Sequence, residues 1–473
     1  GCTNSTTLSV SGTMTNSIAY LKASNTGSDD WFGDVLDLSS DGNTLVVGAP
    51  QEDSSLTGVN SIETDTGAEN SGAVYVFTKN NNVWQQDAYI KASNTGADDH
   101  FGSSISLSGD GKTLVVGAPK EDGTADNSGA VYVFTHDGTD WSEQDYLKAD
   151  NNDANDHFGG KGTLDISEDG NLIAVGAIDE DSAQNGTESN GINSDAPDAG
   201  AAYIFTRTGI NWVQTAYIKA SNSGVDDNFG TLSLSGNGST LVVGAPGEDG
   251  TASNAGAVYV FEYNGTSWSE EAYLKASNAQ AEDKFGGEQS LVISQDGLTI
   301  AVCAEGEDSN ALGLSDVSTE GANNSSLYSS AVYVFRKESG TWGHEAYIKS
   351  DHNNDDLFGS NRGLALNKTG TSLAIGTIWN SSSNSGVTSE SNNSGSLTQA
   401  GAVYFYTKSG SSWAKTSFLK APNTGSSDHF GVSVAMDETG ATMVVGAAKE
   451  SSNATGVAGT GQANNGASDA GAV

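Results

Sequence analysis

Residues 89–119 read YIKASNTGADDHFGSSISLSGDGKTLVVGAP. Around Phe101-Gly102 the stretch divides into pieces with different periodicities. Before the pair stands an acidic turn, Asp98-Asp99. After it, Ser103 to Ser108 alternates serine with apolar residues, the period-two pattern of a strand. Asp110-Gly111 breaks the pattern and is expected to form a two-residue hairpin turn with φ > 0. Thr113 to Ala118 is a short β-branched run without alternation, which predicts a strand buried on both faces. A polar loop follows, then a third strand at Ala130 to Thr135. A fourth runs from Trp141 to Lys148, where the Tyr-Leu-Lys pattern restarts.

The same order recurs along the chain. Phe-Gly stands at Phe32, Phe101, Phe158, Phe229, Phe285, Phe358 and Phe430, at intervals of 69, 57, 71, 56, 73 and 72 residues. Four short strands per repeat, two of them apolar on both faces, must be covered by neighbours on either side. Radially stacked sheets meet that demand, so the expected fold is all-β, a seven-bladed β-propeller of four-stranded antiparallel blades. The chain opens with Ser17 to Lys22, a fourth strand with no first three, and ends at Gly471-Ala472-Val473, the start of a third strand. The N-terminal strand is therefore expected to complete the last blade, and the natural chain to continue past Val473. The propeller is assigned to 17–473, and residues 1–16 to a Ser/Thr-rich tether.

Sixty acidic residues against 20 basic give a formal net charge of −40. Such a field repels nucleic acid and anionic membrane surfaces, and no apolar run is long enough to cross a bilayer as a helix. The two cysteines suggest neither a disulfide framework nor a zinc site. Cys303 lies in an apolar run and is expected to be a buried small residue. Gly1-Cys2 with its Ser/Thr-rich sequel is similar to the mature start of a bacterial lipoprotein, which makes Cys2 a candidate for lipidation.

The Phe-Gly pairs, with Gly-Ala-Pro intact at residues 48–50, 117–119 and 244–246, resemble FG-GAP repeats, which build integrin-α-like propeller heads and many bacterial surface proteins. That resemblance covers residues 17 to 473. It implies a seven-bladed propeller and a role in extracellular recognition. In one respect the chain departs from the family. Calcium-binding members carry several carboxylates between the first and second strands, whereas Leu107 to Thr113 carries one, so those calcium sites are not transferred.

In a propeller, the loops entering each first strand and those joining second to third strands share one face, here the top. Aspartate pairs precede Phe-Gly at 29–30, 98–99, 226–227 and 355–356. Glu-Asp follows the second strand at 52–53, 121–122, 180–181, 248–249 and 307–308. A strongly acidic top face is expected. One aspartate and one lysine recur seven or eight residues apart in every repeat, as Lys22/Asp30, Lys91/Asp99, Lys148/Asp156 and Lys219/Asp227. They are read as structural, joined by an ion pair or a loop-bridging hydrogen bond.

Asp99, Glu121 and Asp122 are candidate ligands for a hard cation such as calcium, the one cofactor considered. Asp53, Asp122 and Asp249 are candidate ligand contacts. So are Trp31 and Trp379, which fall outside the register of the tryptophans that open the fourth strands. The long second-to-third loops of blades 5, 6, 7 and 1 are expected to raise a wall on the top face. No catalytic constellation stands out. The reading is a surface or secreted adhesion module for a protein or glycan, with no enzyme activity. A polysaccharide lyase or hydrolase and a self-associating surface-layer subunit are the alternatives.

Overall fold

The computed structural model describes residues 19–60, 65–123, 125–187, 194–287, 290–315, 329–352, 357–388, 395–457 and 464–473. These form an all-β propeller, and no helix occurs among them. Six sheets share one antiparallel meander of four strands, and two of the six gain a fifth, very short edge strand. In the first blade the strands are Val35–Leu38, Thr44–Ala49, Ala73–Asn80 and Val83–Ile90, from the axis outward. A further sheet pairs Phe430–Met436 with Met443–Ala447. Asp356 and the Cys2 tether lie outside the described residues.

Burial follows the apolar pattern. The middle strands Thr113–Ala118 and Ala130–Phe134 are buried throughout, because each sheet is covered on both faces. The large core clusters span two neighbouring blades; one joins Val46, Val74 and Val76 to Leu114, Val116 and Tyr132. The Phe-Gly phenylalanine sits in this seam. Phe101 meets Tyr132 edge-on at 5.3 Å between centroids and Phe134 at 6.1 Å. Glycine is required where backbones cross: a Cβ on Gly117 would lie 2.0 Å from the Gly159 carbonyl of the next blade.

The innermost strands pack in sequence from Val35–Leu38 round to Phe430–Met436, and this last strand also packs against the first. At the bottom face a belt of backbone hydrogen bonds links the inner turns. The N–H of Ser40 donates to Gly109 (3.1 Å), Gly109 to Glu168 (2.9 Å), Glu168 to Gly236 (2.8 Å) and Gly236 to Gln295 (3.0 Å). Asp296 then donates to Lys368 (3.0 Å), Lys368 to Glu438 (3.1 Å) and Glu438 back to Ser40 (3.1 Å). Near the chain ends, Leu21 and Val473 exchange backbone hydrogen bonds of 2.8 and 3.0 Å, and Ala472 and Ala447 exchange two of the same lengths.

Two expectations need correction. The inner turns are four-residue loops rather than two-residue ones. Ser39 N–H donates to Thr44 O, only Gly42 takes positive φ, and the Ser39 hydroxyl accepts from Asn43 and Thr44. The side chain of serine, not a primed turn, closes the hairpin. The long second-to-third loops, where described, do not rise over the top. They run along the free edge of the outermost strand, with Val59 bridging Ile90, Leu314 pairing Ile348 and Val387 pairing Leu419. An open strand edge is thereby covered.

Candidate functional site

The recurring lysine does not pair with the recurring aspartate. Its partner is the glutamate that follows the second strand. Lys91 bonds Glu52 at 2.8 Å, Lys148 bonds Glu121 at 2.6 Å, Lys219 bonds Glu180 at 2.8 Å and Lys275 bonds Glu248 at 2.6 Å. Lys349 pairs with Glu307, and Lys22 reaches Glu450 at 3.1 Å. Each glutamate is a hub. Glu180 accepts from Lys219, from the Tyr217 hydroxyl (2.8 Å), from Asn151 (3.1 Å) and from Ser182 N–H (3.1 Å). Three connections of one blade are thus tied at one buried carboxylate. Burial lowers the pKa values of Lys22, Lys91, Lys219 and Lys349, against the pull of their glutamates.

The recurring aspartate closes its own turn. Asp30 accepts Gly27 N–H at 2.7 Å, Asp99 accepts Gly96 at 2.7 Å, Asp156 accepts Asp153 at 2.8 Å and Asp227 accepts Gly224 at 2.7 Å. The loop-bridging hydrogen bond is present and the ion pair to lysine is not; geometry selects the glutamate because it lies beside the end of the same blade's outermost strand. Burial pushes Asp30 and Asp156 up to about 7 and Asp99 to about 6.

The candidate cation ligands are all engaged by protein groups. Glu121 holds the Lys148 ammonium and accepts from Gly123 N–H, Asp99 caps its turn, and Asp122 accepts Asn127 N–H at 2.8 Å. Among the described residues no group of three or more such side chains is arranged to hold a metal. Asp53 and Asp249 repeat the role of Asp122, accepting Asn70 N–H (2.9 Å) and Asn254 N–H (2.8 Å). These aspartates staple their loops.

Trp31 and Trp379 are brought together. With half-buried Leu357 they pack on Ile378, Val432 and Ala448 at the top of the axis. Two ammonium groups lie over the Trp31 ring, Lys161 at 5.6 Å and Lys449 at 5.7 Å. Trp31 belongs to a ring of seven positions preceding Phe-Gly: Trp31, His100, His157, Asn228, Lys284, Leu357 and His429. All seven adopt left-handed φ between 48° and 57° although none is glycine. Elsewhere the repeats agree closely, but at this ring they carry five different residue types. Burial, with Lys120 near His100 and Lys449 near His429, holds both imidazoles down at about 4. His157 Nδ1 contacts Asp179 at 2.6 Å.

Two axial residues went unread in the sequence, Lys161 and Arg362. The signal was there: after Phe-Gly, Gly160-Lys161-Gly162 and Ser360-Asn361-Arg362 are two residues longer than the corresponding Ser103. Lys161 bonds Asp34 at 2.9 Å, and Arg362 Nη2 donates to the Ser103 carbonyl at 2.6 Å.

FG-GAP repeat models match residues 15–77, 84–134, 212–261 and 413–472. A comparison with curated proteins finds no match in sequence. Among solved structures, hydrazine synthase of Kuenenia stuttgartiensis is similar with a TM-score of 0.51 at 15% identity, covering 90% of this chain and 96% of that one. The periplasmic gluconolactonase PpgL of Pseudomonas aeruginosa gives 0.46 at 12% identity, with 83% and 86% covered. Chaetomium thermophilum Sqt1, bound to the N-terminus of ribosomal protein L10, gives 0.45 at 13% identity, with 92% and 85% covered. At 15% identity the likeness to hydrazine synthase is one of fold alone.

Proposed function

As the chain belongs to the FG-GAP repeat propellers, we propose that it is a cell-surface or secreted binding module that takes a protein or glycan ligand at the axial end of its top face. The observation that carries this reading is the divergence of the ring before Phe-Gly. A residue needed by every blade stays constant; seven equivalent positions that share a costly backbone conformation yet differ in side chain have been set one by one. Trp31 and Trp379 supply half-buried aromatic surface there, and Lys161 and Lys449 supply charge. Tryptophan is among the residue types that dominate binding hot spots.

The propeller is read as seven-bladed, with the segment around Leu21 serving as the outermost strand of the last blade. The hydrogen bonds of Leu21 with Val473 support this, as does Lys22 holding Glu450 where interior blades use their own fourth strand. Lipid attachment at Cys2 and a calcium ion in a top loop belong to the same surface-module proposal.

Binding of the purified chain to a glycan array and to candidate surface proteins, with calcium or with EDTA, tests it. Selective binding that is lost in the Trp31→Ala, Trp379→Ala double variant is expected. Binding that survives both substitutions moves the site away from the axis, and dependence on calcium places a cation in or under it.

A further inference from the structure

Beneath the top ring the axis holds a cavity of about 250 Å³, reaching from Arg362 to the inner turns of the bottom face. Its wall is divided. Asp37, Ser106, Asp165 and Ser233 stand at equivalent positions on the first four innermost strands, and Val292, Ala365 and Ala435 on the next three. The polar half is satisfied within the protein. Asp37 accepts Leu107 N–H at 2.7 Å, Asp165 accepts Leu234 N–H at 2.7 Å, and Ser106 donates to Asp165 at 3.0 Å.

The two ends differ from the wall. Arg362 is partly exposed, but its guanidinium carries a buried Nη1 that has no hydrogen-bond partner among the described residues. Among the described residues no carboxylate lies within ion-pair distance of it; Asp34 acts on it from farther off, and burial brings its pKa down to about 10. At the other end the buried Oε1 of Gln295 also has no partner among the described residues, while its Nε2 donates to Ser40 at 3.3 Å. A buried guanidinium N–H lacking an acceptor, and a buried acceptor lacking a donor, are both costly. One cavity contains both.

We infer that the axial cavity is a binding site for a small hydroxy monocarboxylate, its carboxylate on Arg362 Nη1 and its hydroxyl donating to Gln295 Oε1. The charge and shape of the wall set this class. Among the described residues Arg362 is the one cation lining the cavity, so a dianion such as sulfate or phosphate would bury a second charge without a partner, and a single negative charge is favoured. The Val292, Ala365 and Ala435 side accepts a hydrocarbon body. Entry is by the bottom mouth, where Lys368 joins Glu438 at 2.9 Å and spans to Glu168 at 3.5 Å. These groups are solvent-exposed, and such pairs open readily. The site is independent of the top-face reading and stands or falls separately.

Thermal melting of the whole chain tests it, with ω-hydroxy monocarboxylates of increasing length, the matched unhydroxylated acids, and sulfate and phosphate, all at one ionic strength. One chain length is expected to raise the Tm above the chloride control by several degrees, the unhydroxylated acid less, and the dianions not at all. Arg362→Met should melt at or above the parent without ligand, since it removes a buried guanidinium N–H that lacks an acceptor, and should lose the shift. If that variant does not fold, Ala365→Leu, which fills the cavity and leaves Arg362 in place, should lose the shift instead. The inference is overturned by no carboxylate shift in the parent, by an equal shift with sulfate, or by a shift that persists in Arg362→Met or, where that variant does not fold, in Ala365→Leu.

Discussion

At the scale of single residues, the protein rests on a repeated buried charge. Glu180 and Lys219 have almost no side-chain exposure, and the desolvation of both is offset only while every bond of the hub is made. Glu180→Gln keeps the shape and the acceptor for Tyr217, but it leaves the Lys219 ammonium without its counter-charge. Breaking one side of such a pair is expected to cost ~3–5 kcal/mol, far more than the pair itself contributes over an apolar substitute. Urea unfolding of the variant measures this. A loss under about 1 kcal/mol would mean that the hub is solvated in solution. In blade 6 Asn380 replaces the glutamate and Phe418 the tyrosine whose hydroxyl would have donated to it, while Lys420 stays buried and donates to the Gly401 carbonyl instead. Acid and hydroxyl are absent together, as expected of partners.

At the scale of the blade, the long loops explain why the hubs are not equally dry. Blades 1, 5 and 6 lay their loops along the outermost strand, and Gly186 and Gly456 accept Lys219 and Lys22 N–H in the same manner. Lysine exposure in blades 1, 3, 5 and the last is 0–2%; in the short-loop blades 2 and 4 it is 13%. Lys22→Met and Lys219→Met are therefore expected to lower stability more than Lys148→Met and Lys275→Met, because water can reach the abandoned glutamate in the second pair. Chemical denaturation of the four variants gives the order. A Lys22→Met that costs nothing would also count against the proposal that the segment around Leu21 completes a last blade.

The first two strands of a blade and its doubly buried middle strand were legible in residues 89–119, since period-two alternation and double-sided burial depend only on local sequence. The partner of the lysine was not. Asp99 and Glu121 are equally plausible acids on paper, and only the three-dimensional position of the loop after Thr113–Ala118 chooses between them. Trp31 and Trp379 were singled out by register, but their meeting depends on the ring bringing the two segments to one axis. Arg362 was hidden because a two-residue extension in a glycine- and asparagine-rich chain reads as ordinary loop.

At the scale of the whole molecule, charge and burial act in the same direction with pH. Asp30, Asp37 and Asp156 titrate near 7, and Asp99, Asp283 and Asp428 near 6, all raised from 3.8 chiefly by burial. Because these folded-state values lie above the unfolded ones, the native state binds more protons across that window. The stabilisation is complete below the unfolded pKa and is lost as pH rises through 6 to 7. The net charge of −40 adds self-repulsion that grows over the same range. His100 and His429, held at about 4, oppose this by favouring the native state only while neutral, and their contribution fades as pH falls below the ordinary imidazole value. Six carboxyls outweigh two imidazoles, so Tm should be highest near about pH 4, where the unfolded carboxyls titrate, and fall towards about pH 7. Salt separates the two causes. Roughly 1 M salt screens long-range repulsion between surface carboxylates but leaves the desolvation of buried aspartates in place. A fall in Tm from the acid maximum that persists in high salt assigns the effect to the buried turn aspartates. A fall that salt abolishes assigns it to surface charge, and a Tm that rises with pH across this range contradicts the buried, protonated state of these carboxyls.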